Sequence, residues 1–349
     1  MRLPKLLFAL SLCWAVASSC SDNPTGVPDA GQVDAHFSAD GLVSDAPGDA
    51  SPAGFAVTWK AEPGFVVEDA SNAGAKVDSD GSVLLLYEDR SKSQPGISQR
   101  VVRLVKASDW LTPTEDVTLE KQAFHAIQLP SGLYRAYGGN PTIGGGAMDF
   151  GSWTSTDGVT FVQDLDDKGA PIVRYQLQPE DKGKMGTFDV FVNSDKHVVL
   201  LYVADNQAGG KNNIRRAIST DGGDSFAFDR GNVLDDDKVG GGGGTYVDQD
   251  TLVLPDGRVY LIAMKGGTIH HFIGDDKGDV FVELSESALF TGAMFEPING
   301  TTAFSLHDPQ IVMLTDGRLR IYMACQIQGE TGPDGHGKHY MVAATSGAI

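Results

Sequence analysis

The chain is 349 residues long and carries 46 acidic against 27 basic side chains, a formal net charge of −19. A balance this acidic, with no Lys/Arg run to offset it locally, repels nucleic acid and anionic lipid headgroups and excludes both as partners. Three cysteines, two of them within the first 20 residues, exclude a disulfide framework.

The chain opens with Arg2 and Lys5, an apolar run over 6–16 and the small residues Ala17, Ser18 and Ser19 ahead of Cys20. This is the charged, apolar and small-residue order of a secretory signal. About 11 apolar residues fall short of the roughly 20 that span a bilayer as a helix. With a cysteine at the cleavage point, residues 1–20 resemble a bacterial lipoprotein signal. The resemblance implies lipidation of Cys20, and Ser21 in place of Asp implies sorting to the outer membrane or cell surface. Ala17, where Leu is usual, keeps an ordinary secretory signal as the alternative.

Residues 21–53 contain six Asp, no Lys or Arg, and much Ala, Gly, Ser and Pro. Such a stretch cannot bury enough apolar surface to offset its ordering entropy, so it reads as a disordered acidic linker. The signal contributes +2 and the linker −6, leaving −15 on residues 54–349.

From residue 54 onward one pattern recurs: an apolar run, a tight turn and a second apolar run, at 75–87, 125–137, 189–202, 250–263 and 309–324. The turns carry Gly81, Gly132, Gly257 and Gly317, with Lys196 at that place in the third copy. Asp-Gly or Ser-Gly between aliphatic runs is a hairpin signal, and no segment has a 3.6-residue apolar period, so an all-β domain is expected. Between these hairpins, residues 219–226 (STDGGDSF) resemble the Asp-box, S-x-D-x-G-x-T-W, with a shorter version at 155–161 and a degenerate one at 275–281. The Asp accepts backbone N–H groups in the turn and Gly supplies the positive φ. Asp-boxes imply a sialidase-like propeller and lie away from its active face.

Two hairpins per repeat give a four-stranded blade, so the expected fold is a five-bladed β-propeller over 54–349, with a six-bladed sialidase-like propeller as the alternative. The fifth copy ends before a fourth strand, which residues 55–59 are expected to supply. In such a ring the starts of first strands and the ends of second strands share one face. That places Glu88, Asp89, Arg90, His125, Asn140, Asp189, Asp205, Asp248, Asp250, Lys265, His307 and Asp308 around one mouth. Crowded carboxylates suit acid-base chemistry because like charges raise one pKa and leave a neighbour ionised. Asp189 and Asp308 are the expected catalytic pair, Asp250 a modulator, and His125 and His307 ligands for sugar hydroxyls. A calcium ion held by the same carboxylates is equally compatible.

The run His307-Asp308-Pro309-Gln310, followed by Asp316-Gly317, resembles the strand start of five-bladed glycosidases of the arabinanase and xylosidase type. Those families carry Asp, Asp and Glu on their first three blades. Here the corresponding positions hold Asn72 or Asp69, His125 and Asp189, so only Asp308 matches. Arg90 is the one clear mouth arginine, against the three of sialidases. The expected function is a glycoside hydrolase or sialidase-like protein acting on extracellular glycans, with a non-catalytic glycan- or protein-binding propeller as the alternative. Carbohydrate or glycoconjugate is the expected partner, with membrane contact through the lipid alone and a monomeric domain.

Three further features read as structural. The Gly-rich stretches 144–146 and 240–244 lack a following Lys-Ser/Thr and are not phosphate loops. His270 and His271 alternate faces on a strand and cannot share a metal. Cys325, in an apolar run, reads as a buried hydrophobe.

Overall fold

The computed structural model describes residues 55, 57–77, 80–92, 102–107, 113–119, 125–139, 150–158, 160–181, 185–204, 213–231, 233–234, 246–285, 287–333 and 337–348. The signal, Cys20 and the acidic linker lie outside these residues. Among them there is no α-helix, only strands and short 3-10 turns.

Two short strands, β1 (Trp59–Ala61) and β2 (Val67–Glu68), precede the first sheet, which is β3 (Ala70–Val77), β4 (Val83–Asp89), β5 (Val102–Ala107) and β6 (Pro113–Leu119). The second sheet is β7 (His125–Gln128), β8 (Tyr134–Gly139), β9 (Phe150–Ser155) and β10 (Val162–Gln163). The third is β11 (Met185–Val192), β12 (Val198–Ala204), β13 (Asn213–Ser219) and β14 (Ala227–Arg230). The fourth is β15 (Val247–Val253), β16 (Val259–Lys265), β17 (Thr268–Gly274) and β18 (Phe281–Glu283). The last sheet joins β19 (Ala303–Met313), β20 (Arg318–Thr331) and β21 (Gly337–Ala348) to β1 and β2 from the other end of the domain.

Every sheet is an antiparallel meander, and the first strands β7, β11, β15, β19 and β3 pack in succession around an axis, as in a propeller. Lys76 on β3 reaches the second sheet, donating to the Gly158 carbonyl at 3.4 Å and lying 4.4 Å from the centre of the Tyr134 ring. Four sheets have the four strands the repeat predicts, whereas the sheet joining the chain ends has five. The closing strand is Trp59–Ala61, displaced from the expected 55–59, and it pairs with Ser346 to Ala344. β21 is 12 residues long, so its other end has room for Val67–Glu68, paired with Met341 and Tyr340.

The second strands explain the continuous apolar runs. All seven residues of β12 are buried. Their side chains alternate, so that Val198, Leu200 and Tyr202 pack toward the second sheet and Val199, Leu201 and Val203 toward the fourth. A strand sandwiched between two neighbours is apolar on both faces, and each buried large side chain contributes roughly 1.5–3 kcal/mol.

The turn after β13 is tied by Asp221, whose carboxylate accepts the N–H groups of Asp224 and Ser225, each at 3.0 Å, and the hydroxyls of Ser219 and Ser225. Phe226 then packs edge-on against Tyr137 and Phe150 between the second and third sheets. Against the upward pull of burial, these hydrogen bonds hold the Asp221 carboxyl down at about 2, from an ordinary value of 3.8. A depressed carboxyl contributes stability above its unfolded pKa that is lost as pH falls through the folded one. The melting temperature is therefore expected to drop between about pH 4 and pH 2, and Asp221→Ala to flatten that limb in calorimetry; an unaltered limb would refute the assignment.

Candidate functional site

The inner strands are interrupted where they leave the mouth. In β15 the register shifts between Val247 and Asp250, and in β19 between His307 and Gln310. Each shift is a bulge of one extra residue, and its first residue is an aspartate in the left-handed region: Asp248 at φ 52° and Asp308 at φ 48°. Asp69, just before β3, has φ 52° as well. Non-glycine residues take this conformation at a cost of about 1–3 kcal/mol, which persists where the surroundings fix it and recurs at functional sites.

The two bulges bring Asp248 and Asp308 together. The Asp248 N–H donates to Thr187 Oγ1 at 2.9 Å, and its carboxyl accepts from the Thr187 hydroxyl and the Asp308 backbone N–H. Burial, reinforced by the Asp308 negative charge, pushes the Asp248 carboxyl from 3.8 up to about 8. The shift favours the protonated form of this carboxyl.

His307, beside Asp308, meets the His339 ring edge-on at 4.9 Å, and its buried Nε2 finds no hydrogen-bond partner among the described residues. Burial lowers its pKa and the nearby Arg90 charge adds to the effect, while Asp308 opposes it. Arg90 is anchored by its own N–H to the Asp69 carbonyl at 2.7 Å and by Nη1 to Ser71 Oγ at 3.3 Å. Arg90, His307, Asp308 and Asp248 thus lie together, across the first, fifth and fourth sheets.

Asp189 and Asp250 sit deeper, in the middle of β11 and β15, 3% and 5% exposed. They are in mutual hydrogen-bond contact, and burial followed by the Asp189 charge raises the Asp250 carboxyl well above its ordinary range. Beside the expected pairing of Asp189 with Asp308, the contacts join Asp189 to Asp250 and Asp308 to Asp248. The cavity beside the deeper pair, about 90 Å³, is lined by Lys76, Gly158, Asp189, Asp250 and Gln310 among others. That is room for about three waters, not for a sugar, whose sites typically span about 300–1,000 Å³.

Other expected mouth residues divide. Glu88, next to last on β4, pairs with Ser71 and is 3% exposed. Asp89 accepts the Ser91 N–H at 3.1 Å and the Ser91 hydroxyl at 2.5 Å, so this side chain caps a turn. Lys265 lies 4.6 Å from the centre of the Tyr246 ring. The side chain of His125, and Asn140 and Asp205 altogether, are outside the described residues. Among the described residues no group of three or more His, Cys, Asp or Glu is arranged to hold a metal ion. His270 bonds Glu283 and His271 bonds Tyr260, each at 2.8 Å, on opposite faces of β17. Cys325 is fully buried, its thiol pushed up to about 12 by burial.

The Asp248–Asp308 pairing escaped the sequence reading, though a signal was present. Both residues stand nine positions before a turn glycine, Gly257 and Gly317.

No family model matches the chain, and no curated protein matches it. Solved structures share its architecture. The catalytic domain of a GH62 alpha-L-arabinofuranosidase from Coprinopsis cinerea is 11% identical over 84% of this chain and 99% of that one, with a TM-score of 0.58. An alpha-L-arabinofuranosidase from Podospora anserina, in complex with cellotriose, is 11% identical over 83% and 97%, at 0.56. An endo-1,4-beta-xylanase from Bacteroides thetaiotaomicron is 14% identical over 79% and 90%, at 0.54. Identities this low carry the all-β propeller architecture alone.

Proposed function

We propose that the domain is a five-bladed propeller that hydrolyses uncharged extracellular glycans, with Asp248 as general acid and Asp308 as its carboxylate partner. The observation that carries this reading is the pair of left-handed bulges aiming two aspartates at one place, where burial favours the protonated form of one of them. Glycoside hydrolysis needs such a division, one carboxyl donating to the leaving oxygen while the other acts as base or nucleophile. Arg90 and His307 border the pair and would contact sugar hydroxyls. The likeness to arabinofuranosidases and a xylanase supports the same class.

Of the residues expected at the mouth, Asp69, Glu88, Asp89 and Asp308 outnumber Arg90 and Lys265 without counting Asp248, whose protonated form is favoured, so the field there disfavours uronates and sialates. This weighs against a sialidase-like substrate and for neutral pentose or hexose chains. Aryl-glycosides and polysaccharides of both kinds test the proposal: turnover confined to neutral ones is expected, and turnover of acidic glycans alone would overturn it. The bonds that hold Asp248 in place would equally suit a non-catalytic glycan-binding mouth, which the Asp308 variant below separates from an enzyme.

We further propose that the chain is exported and anchored through lipid on Cys20. Cys20→Ala is expected to move the protein from the membrane to the soluble fraction on cell fractionation; unchanged partitioning would rule out the anchor.

A further inference from the structure

We propose that Asp189 and Asp250 form a proton-sharing clamp on the propeller axis that positions the bulges bearing Asp248 and Asp308, so that a titration remote from the reacting atoms controls the mouth. This rests on the reading of Asp248 and Asp308 given above. Asp250 follows Asp248 by two residues on β15, and its Oδ2 accepts the Ile311 N–H at 2.6 Å. Ile311 in turn follows Asp308 by three residues on β19. One carboxyl therefore ties the strand segment just beyond one bulge to the segment just beyond the other. The Thr251 hydroxyl donates to Asp189 on β11. Gln249 donates to the Leu201 carbonyl at 3.0 Å and the Thr187 carbonyl at 3.4 Å, extending the tie to the residue that holds Asp248.

Two carboxyl groups in contact and almost wholly buried can bond only while one keeps its proton. Among the described residues facing the pair, Lys76 from β3 lines the same cavity and β19 presents uncharged Gln310 and Ile311, while the side chain of His125 on β7 lies outside them. Loss of the shared proton leaves two like charges facing each other, and their repulsion releases the Ile311 bond and the register of the Asp308 bulge. Asp189 and Asp250 are thus positioning residues for the reaction.

The test follows the Ile311 amide by NMR against pH in the ligand-free chain, beside a pH–rate profile on a hydrolysed neutral aryl-glycoside. Asp250→Asn keeps an acceptor for Ile311 and a donor for Asp189 without a titrating proton. The wild type is expected to show an Ile311 transition that Asp250→Asn abolishes, with the alkaline limb of kcat moved upward in the variant. Asp250→Ala, lacking the acceptor, is expected to lose about 10²-fold in turnover at every pH, as a small misplacement of catalytic groups does. Asp189→Asn serves as the second variant should either Asp250 change fail to fold. No Ile311 transition in the wild type, the same transition in Asp250→Asn, or an unmoved alkaline limb overturns the clamp. An Ile311 transition abolished by Asp250→Asn in a protein that cleaves no glycan supports the clamp and sinks the hydrolase reading instead.

Discussion

Asp308→Asn is expected to lower turnover of a neutral glycoside by about 10²-fold or more, the scale of general acid-base catalysis, with the fold intact. Asparagine tolerates the left-handed conformation that residue 308 adopts at φ 48°, and its backbone N–H still reaches Asp248, so geometry is retained while the charge is lost. Asp248 should respond as well. Burial and the Asp308 charge together raise its pKa to about 8, and removing the second cause lowers it. Its acid form is then lost at lower pH, and the alkaline limb of any residual activity shifts downward. Asp248→Asn, which cannot donate a carboxyl proton, should lose comparable turnover without that shift. A binding module behaves differently: the same changes weaken affinity by only about 1–3 kcal/mol, the scale of a lost buried hydrogen bond. Wild-type turnover in Asp308→Asn would remove that residue from the chemistry.

What could be read from the sequence was whatever repeats. Turn glycines with apolar flanks announced the hairpins, whereas the burial of β12 on both faces emerged only from the packing of its neighbours. The bulges were not legible, because they are defined by pairing: a one-residue register shift between β15 and β16, or between β19 and β20, leaves the local composition unchanged. That shift decides which aspartates meet, so the contact between Asp308 and Asp248 was not foreseen. Asp89 was placed at the mouth by position, yet Ser91 two residues on is an Asx-type turn partner, which local chemistry favours over ligand binding. The two residues of β2 carry no alternation to find; β21 extends far enough to pair with them.

Asp181→Ala is expected to destabilise the domain by about 3–5 kcal/mol, the cost of breaking a buried ion pair by removing one partner. Asp181 has no exposed surface and lies 2.9 Å from Arg215 Nη1, whose side chain is 8% exposed. The other carboxylate oxygen accepts the Tyr202 hydroxyl at 3.0 Å and the Gln178 N–H at 2.8 Å, and Tyr175 bonds Tyr202 at 2.8 Å. Truncation leaves a guanidinium without its counter-charge and a buried phenol without its acceptor. The unpaired charge, more than the lost attraction, sets the size of the effect, which distinguishes this prediction from one based on the pair's intrinsic strength. Asp181→Asn keeps an acceptor and should fall between wild type and Asp181→Ala. Adding Arg215→Met to Asp181→Ala should recover much of the loss, since apolar replacement of a buried pair is often close to neutral. Chemical denaturation of the four proteins tests this, and the idea fails if the double variant is as unstable as Asp181→Ala or if Asp181→Ala costs less than about 1 kcal/mol, the range of an exposed pair. The location connects the energetics to the site: residues 179–181 form the 3-10 turn that precedes β11, the strand carrying Thr187 and Asp189. A buried ion pair at that point holds the approach of the chain to the mouth, so in Asp181→Ala activity at the mouth should fail at a lower temperature than in the wild type.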